Sequence, residues 1–178
     1  LIISTILLNF LFYKYGFGIK FVAVCIFSYL MLLLAAIDFN TQILPDIITK
    51  PLIALGLVQG YYGIFTDLQS SALGAIIGYF VFWGVNCGFK LVRGVDGMGC
   101  GDFKLLCAIG SWVGVKMLPL VILLSSVVGI FVALSIIMLT NINLRAPTPF
   151  GPTLVATGFV AILYGNDIIE WYWLITKI

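Results

Sequence analysis

Histidine is missing from all 178 residues. A Ser/His/Asp triad, a Cys/His dyad and an H-E-x-x-H zinc site are therefore excluded, because each needs an imidazole as base or ligand. Charge is scarce as well: 9% of the residues are charged, against about 25% in an average soluble domain, which argues against a freely soluble globule. The net charge of +2 is too small to neutralise a run of phosphates, so no nucleic-acid partner is expected. Paired cysteines are absent too. Cys25, Cys87, Cys100 and Cys107 form no C-x-x-C motif, and two of them lie in long apolar runs where a thiol packs as a small hydrophobe. Neither a disulfide nor a metal site is expected. No basic segment followed by a small-residue cleavage site marks a signal peptide. The chain opens on Leu1, already in apolar sequence, as a fragment lacking an N-terminal portion would.

Apolar residues are abundant, at 62% of the chain. With roughly 20 needed per membrane crossing, the length allows at most about seven or eight spans. Runs punctuated by short polar groups give seven, at residues 1–15, 20–37, 47–65, 70–91, 103–115, 118–140 and 151–175. The expected fold class is all-α, a polytopic helical membrane bundle. No repeat, linker or low-complexity tract divides residues 1–178, so one domain is expected. The run 103–115 is short, contains Gly110 and Gly114 and precedes Pro119, which suggests a half-depth or broken helix. Gly74 and Gly78, like Gly110 and Gly114, have the four-residue spacing that lets helices approach closely in lipid. Trp112, Trp171, Trp173 and the tyrosines near the span ends are expected to be interfacial anchors.

Under seven spans, the loops at 38–50, 90–104 and 141–150 share one side. That side holds Lys50, Lys90, Arg93, Lys104 and Arg145, five of the nine basic residues. Lys14, Lys20, Lys116 and Lys177 fall opposite, a modest excess that favours calling the first side cytoplasmic. Asp38, Asp46, Asp96 and Asp102, four of the seven acidic residues, gather on the same side. Asp38 closes the apolar stretch Phe21–Ile37, where a carboxylate is costly unless paired, hydrated or protonated. Asp102 ends Gly97-Met98-Gly99-Cys100-Gly101-Asp102 and begins another apolar helix. Taken singly, Asp102 reads equally as an N-cap, and Asp38 as an interfacial cap or a lysine partner. Taken together, two like charges 64 positions apart that converge keep one member protonated and the other ionised. The charged one can then take a proton from water while the neutral one donates to a carbonyl oxygen. Neither metal nor histidine is needed.

These residues resemble those of the type IV prepilin leader peptidases, polytopic aspartic proteases of the G-x-G-D class. The stretch Ile37-Asp38-Phe39-Asn40-Thr41-Gln42-Ile43-Leu44-Pro45-Asp46 is similar to the first family motif. The stretch Gly97-Met98-Gly99-Cys100-Gly101-Asp102-Phe103-Lys104-Leu105-Leu106, continuing to Gly114, is similar to the second. Pro149-Phe150-Gly151-Pro152 is a third family-like element. The resemblance implies that Asp38 and Asp102 are the catalytic pair at the cytoplasmic face of a bacterial inner membrane. It further implies prepilin and pseudopilin substrates of type IV pili and type II secretion, cut after a glycine that ends a short basic leader. Proteolysis of this kind requires no cofactor. Methylation of the new N-terminus by S-adenosylmethionine belongs, in the family, with an additional N-terminal cytoplasmic region that often carries C-x-x-C pairs, and is expected only of a longer parent that includes such a region.

Around the pair, Asp46 follows Pro45 and reads as a helix-start acid. Lys104 points about 200° around a helix from Asp102, toward lipid phosphate or Asp46. Asp96, Lys90 and Arg93 read as a solvated loop edge, with a second reading in which Asp96 attracts a basic leader. Gly97, Gly99 and Gly101 offer bare backbone against which a scissile peptide can lie. Phe150, Gly151 and Pro152 either shape lateral access from lipid or simply start a helix. Two other functions fit the boundary acids, a presenilin-like intramembrane protease and a proton-coupled transporter. A structural assembly factor leaves the acids without a role.

Overall fold

A computed structural model describes residues 2–140 and 150–176. Arg145, Pro149 and Lys177, and with them the third polar loop, lie outside the described residues. Among the described residues there are seven α-helices and no strand: α1 (Ile2–Tyr15), α2 (Ile19–Thr41), α3 (Asp46–Tyr61), α4 (Leu68–Arg93), α5 (Cys100–Val113), α6 (Leu118–Thr140) and α7 (Gly151–Thr176). A single 3₁₀ turn, Val115–Met117, precedes α6. The chain is an all-α, multi-pass membrane protein. Helix α2, helix α4 and the stretch Val115–Ser135 are long and apolar enough to cross a bilayer, and Gly151–Gly165 is a shorter apolar segment of α7. Their outer faces expose large side chains such as Leu123, Ile130 and Phe131, the kind of surface that lipid covers.

Local chemistry sets the boundaries. The N–H of Ser70 donates to the Asp67 carboxylate at 3.0 Å to cap α4. Gly94 ends α4 at φ 73°, a left-handed value that suits glycine. Helix α2 runs past Ile37 to Thr41 because Asn40 and Thr41 bond back to the carbonyls of Ala36 and Ile37. It stops at Gln42 (φ 53°), whose N–H donates to the Asp38 carbonyl at 2.8 Å. Asp38 is therefore inside the last turn of α2.

Helix α5 bears out the short-helix expectation. Its fourteen residues rise about 21 Å, short of the roughly 30 Å hydrocarbon core, and nine of them are buried against α3, α4 and α7. The glycine spacing explains the fit to α4. A Cβ on Gly74 would stand 2.9 Å from the Gly110 carbonyl carbon, and one on Gly78 would stand 2.7 Å from the Leu106 oxygen. A buried polar network fixes the other flank. The Gln59 amide donates to the carbonyls of Ser111 and Trp112, both at 3.2 Å, and accepts from the Phe65 N–H at 3.1 Å. Ser71 donates from α4 to the carbonyls of Gly56 and Ser111. A satisfied network of this kind gives the inner helix one register.

Trp112 corrects an expectation. It is 2% exposed, its indole N–H donates to the Leu52 carbonyl at 2.8 Å, and its ring packs 5.0 Å from that of Phe27. It belongs to the core, because the helix that carries it is enclosed. Trp171 is exposed, as an anchor would be, and the side chain of Trp173 lies outside the described residues.

Candidate active site

Asp38 lies in the last turn of α2, Asp46 begins α3 and Asp102 lies in the first turn of α5. Asp38 is 5% exposed. A carboxylate in the last turn of a helix faces the negative end of its own dipole, so it needs compensation from elsewhere. Helix α7 supplies that: its first residue, Gly151, donates its backbone N–H to Asp38 Oδ2 at 3.0 Å. The approach demands glycine, since a Cβ at 151 would fall 2.7 Å from Asp38 Cγ. Phe150 holds the α7 start in place. Its ring lies 6.1 Å from that of Phe82 on α4 and covers Gly129 of α6, where a Cβ would meet it at 2.9 Å. Pro152 takes the second helical position, where its missing N–H costs nothing. Phe150, Gly151 and Pro152 are thus a helix start, and that start also reaches Asp38.

Asp102 is half-buried in the first turn of α5. It is not the N-cap, because Gly99 holds that position without a side-chain cap, and the Asp102 N–H donates to the Gly99 carbonyl at 3.1 Å. Burial, with the charge of Asp38 adding to it, raises the Asp102 carboxyl from an ordinary 3.8 to about 7. The fold therefore brings two acids from distant parts of the chain close enough for the charge of Asp38 to act on Asp102. Among the described residues no lysine or arginine pairs with either of them.

The neighbouring charges are occupied. Lys104 pairs with Asp46, the alternative to lipid phosphate, and Lys50 holds the other Asp46 oxygen at 3.1 Å. This cluster ties the start of α3 to α5. Lys90 holds Asp96 at 3.1 Å, and with help from Asn86 it keeps that carboxyl below the usual range. The charge of Asp96 is thus matched within the chain, as the loop-edge reading has it. Two of the three glycines are tightly packed: a Cβ would lie 2.5 Å from the Phe89 ring at Gly97, displacing it, and 3.0 Å from Leu44 at Gly101. Gly99 alone of the three faces open space, with only the Asp102 carboxyl at 4.0 Å.

Two parts of the site escape a linear reading of the chain. The Gly151 donor is one. The other is Asn86, whose side chain accepts from the N–H groups of Gly97 and Met98 at 2.8 and 3.1 Å. An amide inside the apolar run of α4 was the available signal.

The model of the type IV leader peptidase family matches residues 25–134, a stretch that includes both aspartates. The chain is 43% identical over 150 residues to the prepilin leader peptidase/N-methyltransferase of Aeromonas hydrophila, covering 84% of this chain and 52% of that protein. It is 39% identical over 169 residues to the protein of the same name in Pseudomonas aeruginosa, covering 95% and 58%. With the Xanthomonas campestris protein of that name the identity is 36% over 160 residues, covering 90% and 56%. The chain spans about half the length of the curated relatives it matches. No solved structure matches it.

Proposed function

Because the chain belongs to the type IV leader peptidase family, we propose that it is the peptidase part of an enzyme that removes the basic leader from type IV prepilins and pseudopilins. The proposed setting is the cytoplasmic face of the bacterial inner membrane. One observation carries the mechanism: Asp38 and Asp102 lie within reach of each other's charge and are free of basic partners among the described residues.

The division of labour follows from their surroundings. Asp102, raised to about 7, is the member that keeps its proton near neutrality and donates it to the scissile carbonyl oxygen. Asp38 receives the Gly151 N–H, a bond made to the charged form, and takes the proton of the attacking water. Transfer of the Asp102 proton to the carbonyl and of a water proton to Asp38 yields the neutral gem-diol; collapse then returns a proton to the leaving amine. The substrate peptide lies extended beside Gly99, and its apolar helix arrives from the surrounding lipid. Proteolysis by two carboxyls calls on no cofactor. The relatives' names also carry an N-methyltransferase activity; we assign that activity, with its S-adenosylmethionine, to no residue of this chain.

The test is the mass of the product. The full protein in detergent, incubated with a prepilin, should release the leader with a single cut after its terminal glycine. A cut inside the apolar helix would point instead to a presenilin-like protease. Proton-coupled flux in liposomes without any cleavage would point to a transporter.

A further inference from the structure

We propose that Asn86 is a positioning residue for Asp102: its amide clamps the loop leading into α5 and so sets where the Asp102 carboxyl stands relative to Asp38. The inference rests on the two-aspartate reading. Asn86 is 9% exposed in an otherwise apolar stretch of α4, about two turns before its end. A buried amide is expensive unless its hydrogen bonds are made. Here they go to three consecutive loop residues. Oδ1 accepts from the N–H groups of Gly97 and Met98 at 2.8 and 3.1 Å, and Nδ2 donates to Asp96 Oδ1 at 3.2 Å. One turn further along the same face, Lys90 donates to Asp96 Oδ2 at 3.1 Å.

That segment needs holding. Between the end of α4 and the start of α5 it contains Gly94, Gly97 and Gly99, whose backbones carry the largest conformational freedom to be lost on ordering. The clamp is close to the chemistry: Met98 adjoins Gly99, and the Gly99 carbonyl accepts the Asp102 N–H at 3.1 Å. With the Phe89 ring beneath Gly97 and Leu44 against Gly101, the amide completes a rigid path from α4 to Asp102. An amide that served only to pack α4 would bond to its own helix or to a neighbouring one; all three bonds of Asn86 go to the loop.

The test compares Asn86→Leu, Asn86→Asp and the exchange Asn86→Asp with Asp96→Asn, in the full protein with a prepilin substrate. Asn86→Leu removes the clamp while keeping the branching of the side chain at Cγ, and kcat should fall about 10- to 100-fold, with KM within about twofold and little change in thermal midpoint. Asn86→Asp sets two carboxylates against each other and should lower kcat similarly. The exchange keeps an acceptor for Gly97 and Met98 and restores a donor between positions 86 and 96, so kcat should return to within about threefold of wild type. A folded Asn86→Leu with unchanged kcat, or an exchange no better than Asn86→Asp alone, overturns the inference. A loss of activity that only follows a lowered thermal midpoint overturns it as well. Asp102→Asn run in parallel separates the two levels. If that variant is inactive while the Asn86 variants behave as wild type, only the positioning role fails. If it cleaves normally, the two-aspartate reading fails.

Discussion

Asp102→Asn should abolish leader removal and make the folded protein harder to unfold above pH 7. The first effect is the loss of the acid that protonates the scissile carbonyl, and general acid–base groups contribute about 10²- to 10⁴-fold. Asp38→Asn should cost as much, since it removes the base. The second effect comes from the same environment. Burial and the charge of Asp38 raise Asp102 from 3.8 to about 7. Below pH 4 the carboxyl is protonated whether the chain is folded or not, and it carries no penalty. Between about pH 4 and 7 the unfolded chain ionises while the folded one resists, so stability falls as pH rises. Above 7 the full penalty remains, on the order of a few kcal/mol. Asparagine removes that cost, and thermal unfolding in detergent should shift upward by several degrees at pH 8 and hardly at all at pH 4. An inactive variant whose midpoint falls at pH 8 would mean misfolding rather than lost chemistry. Substantial residual cleavage in either variant would reject the pair. A gain in stability from removing a catalytic acid is the trade-off expected where a site holds an unfavourable charge for function.

Gly151→Ala should lower kcat by about 10²-fold while leaving the bundle folded. The added methyl would stand 2.7 Å from Asp38 Cγ. Either the carboxylate swings away or the start of α7 withdraws, and in both cases the 3.0 Å bond from the Gly151 N–H is lost. The backbone at 151 is helical and has no positive φ, so alanine introduces no conformational strain of its own. The effect is therefore confined to the contact. KM should change little, because the methyl reaches the base rather than the open space beside Gly99. Gly84→Ala is the natural control: a Cβ there meets nothing within 4 Å. Wild-type turnover in Gly151→Ala would show that the α7 start does not orient Asp38.

Sequence reading reached those features whose cause is local. Apolar runs yield the helices, and the four-residue spacing of Gly74, Gly78, Gly110 and Gly114 marks surfaces for close helix approach, because both depend on neighbours along one helix; that α4 and α5 are the pair that meets is seen only in the fold. The end of α2 was misplaced by a turn, since Asn40 and Thr41 look like loop residues until their side chains bond back to the helix. Trp112 looked like an anchor because it stands at the end of a short run; only the enclosure of α5 by α3, α4 and α7 makes it core. Lys104 was open to lipid phosphate or to Asp46, and packing of the α3 start against α5 decided for Asp46. The Gly151 N–H reaches Asp38 across 113 positions. Nothing in the local pattern announces such a contact, since it depends on how Phe150 seats between α4 and α6. Asn86 is not picked out from sequence, although an amide in an apolar helix is a signal; its partners in the glycine loop depend on the turn at Gly94.

The most direct measurement of the central claim is infrared titration of the buried carboxyl, taken as the difference between the protein and Asp102→Asn and repeated in an Asp38→Asn background. The protonated-carboxyl band belonging to Asp102 should disappear with a midpoint near pH 7, and the midpoint should move downward once the charge at position 38 is gone. A midpoint near 4, or one that is the same with and without the Asp38 carboxylate, would contradict the account.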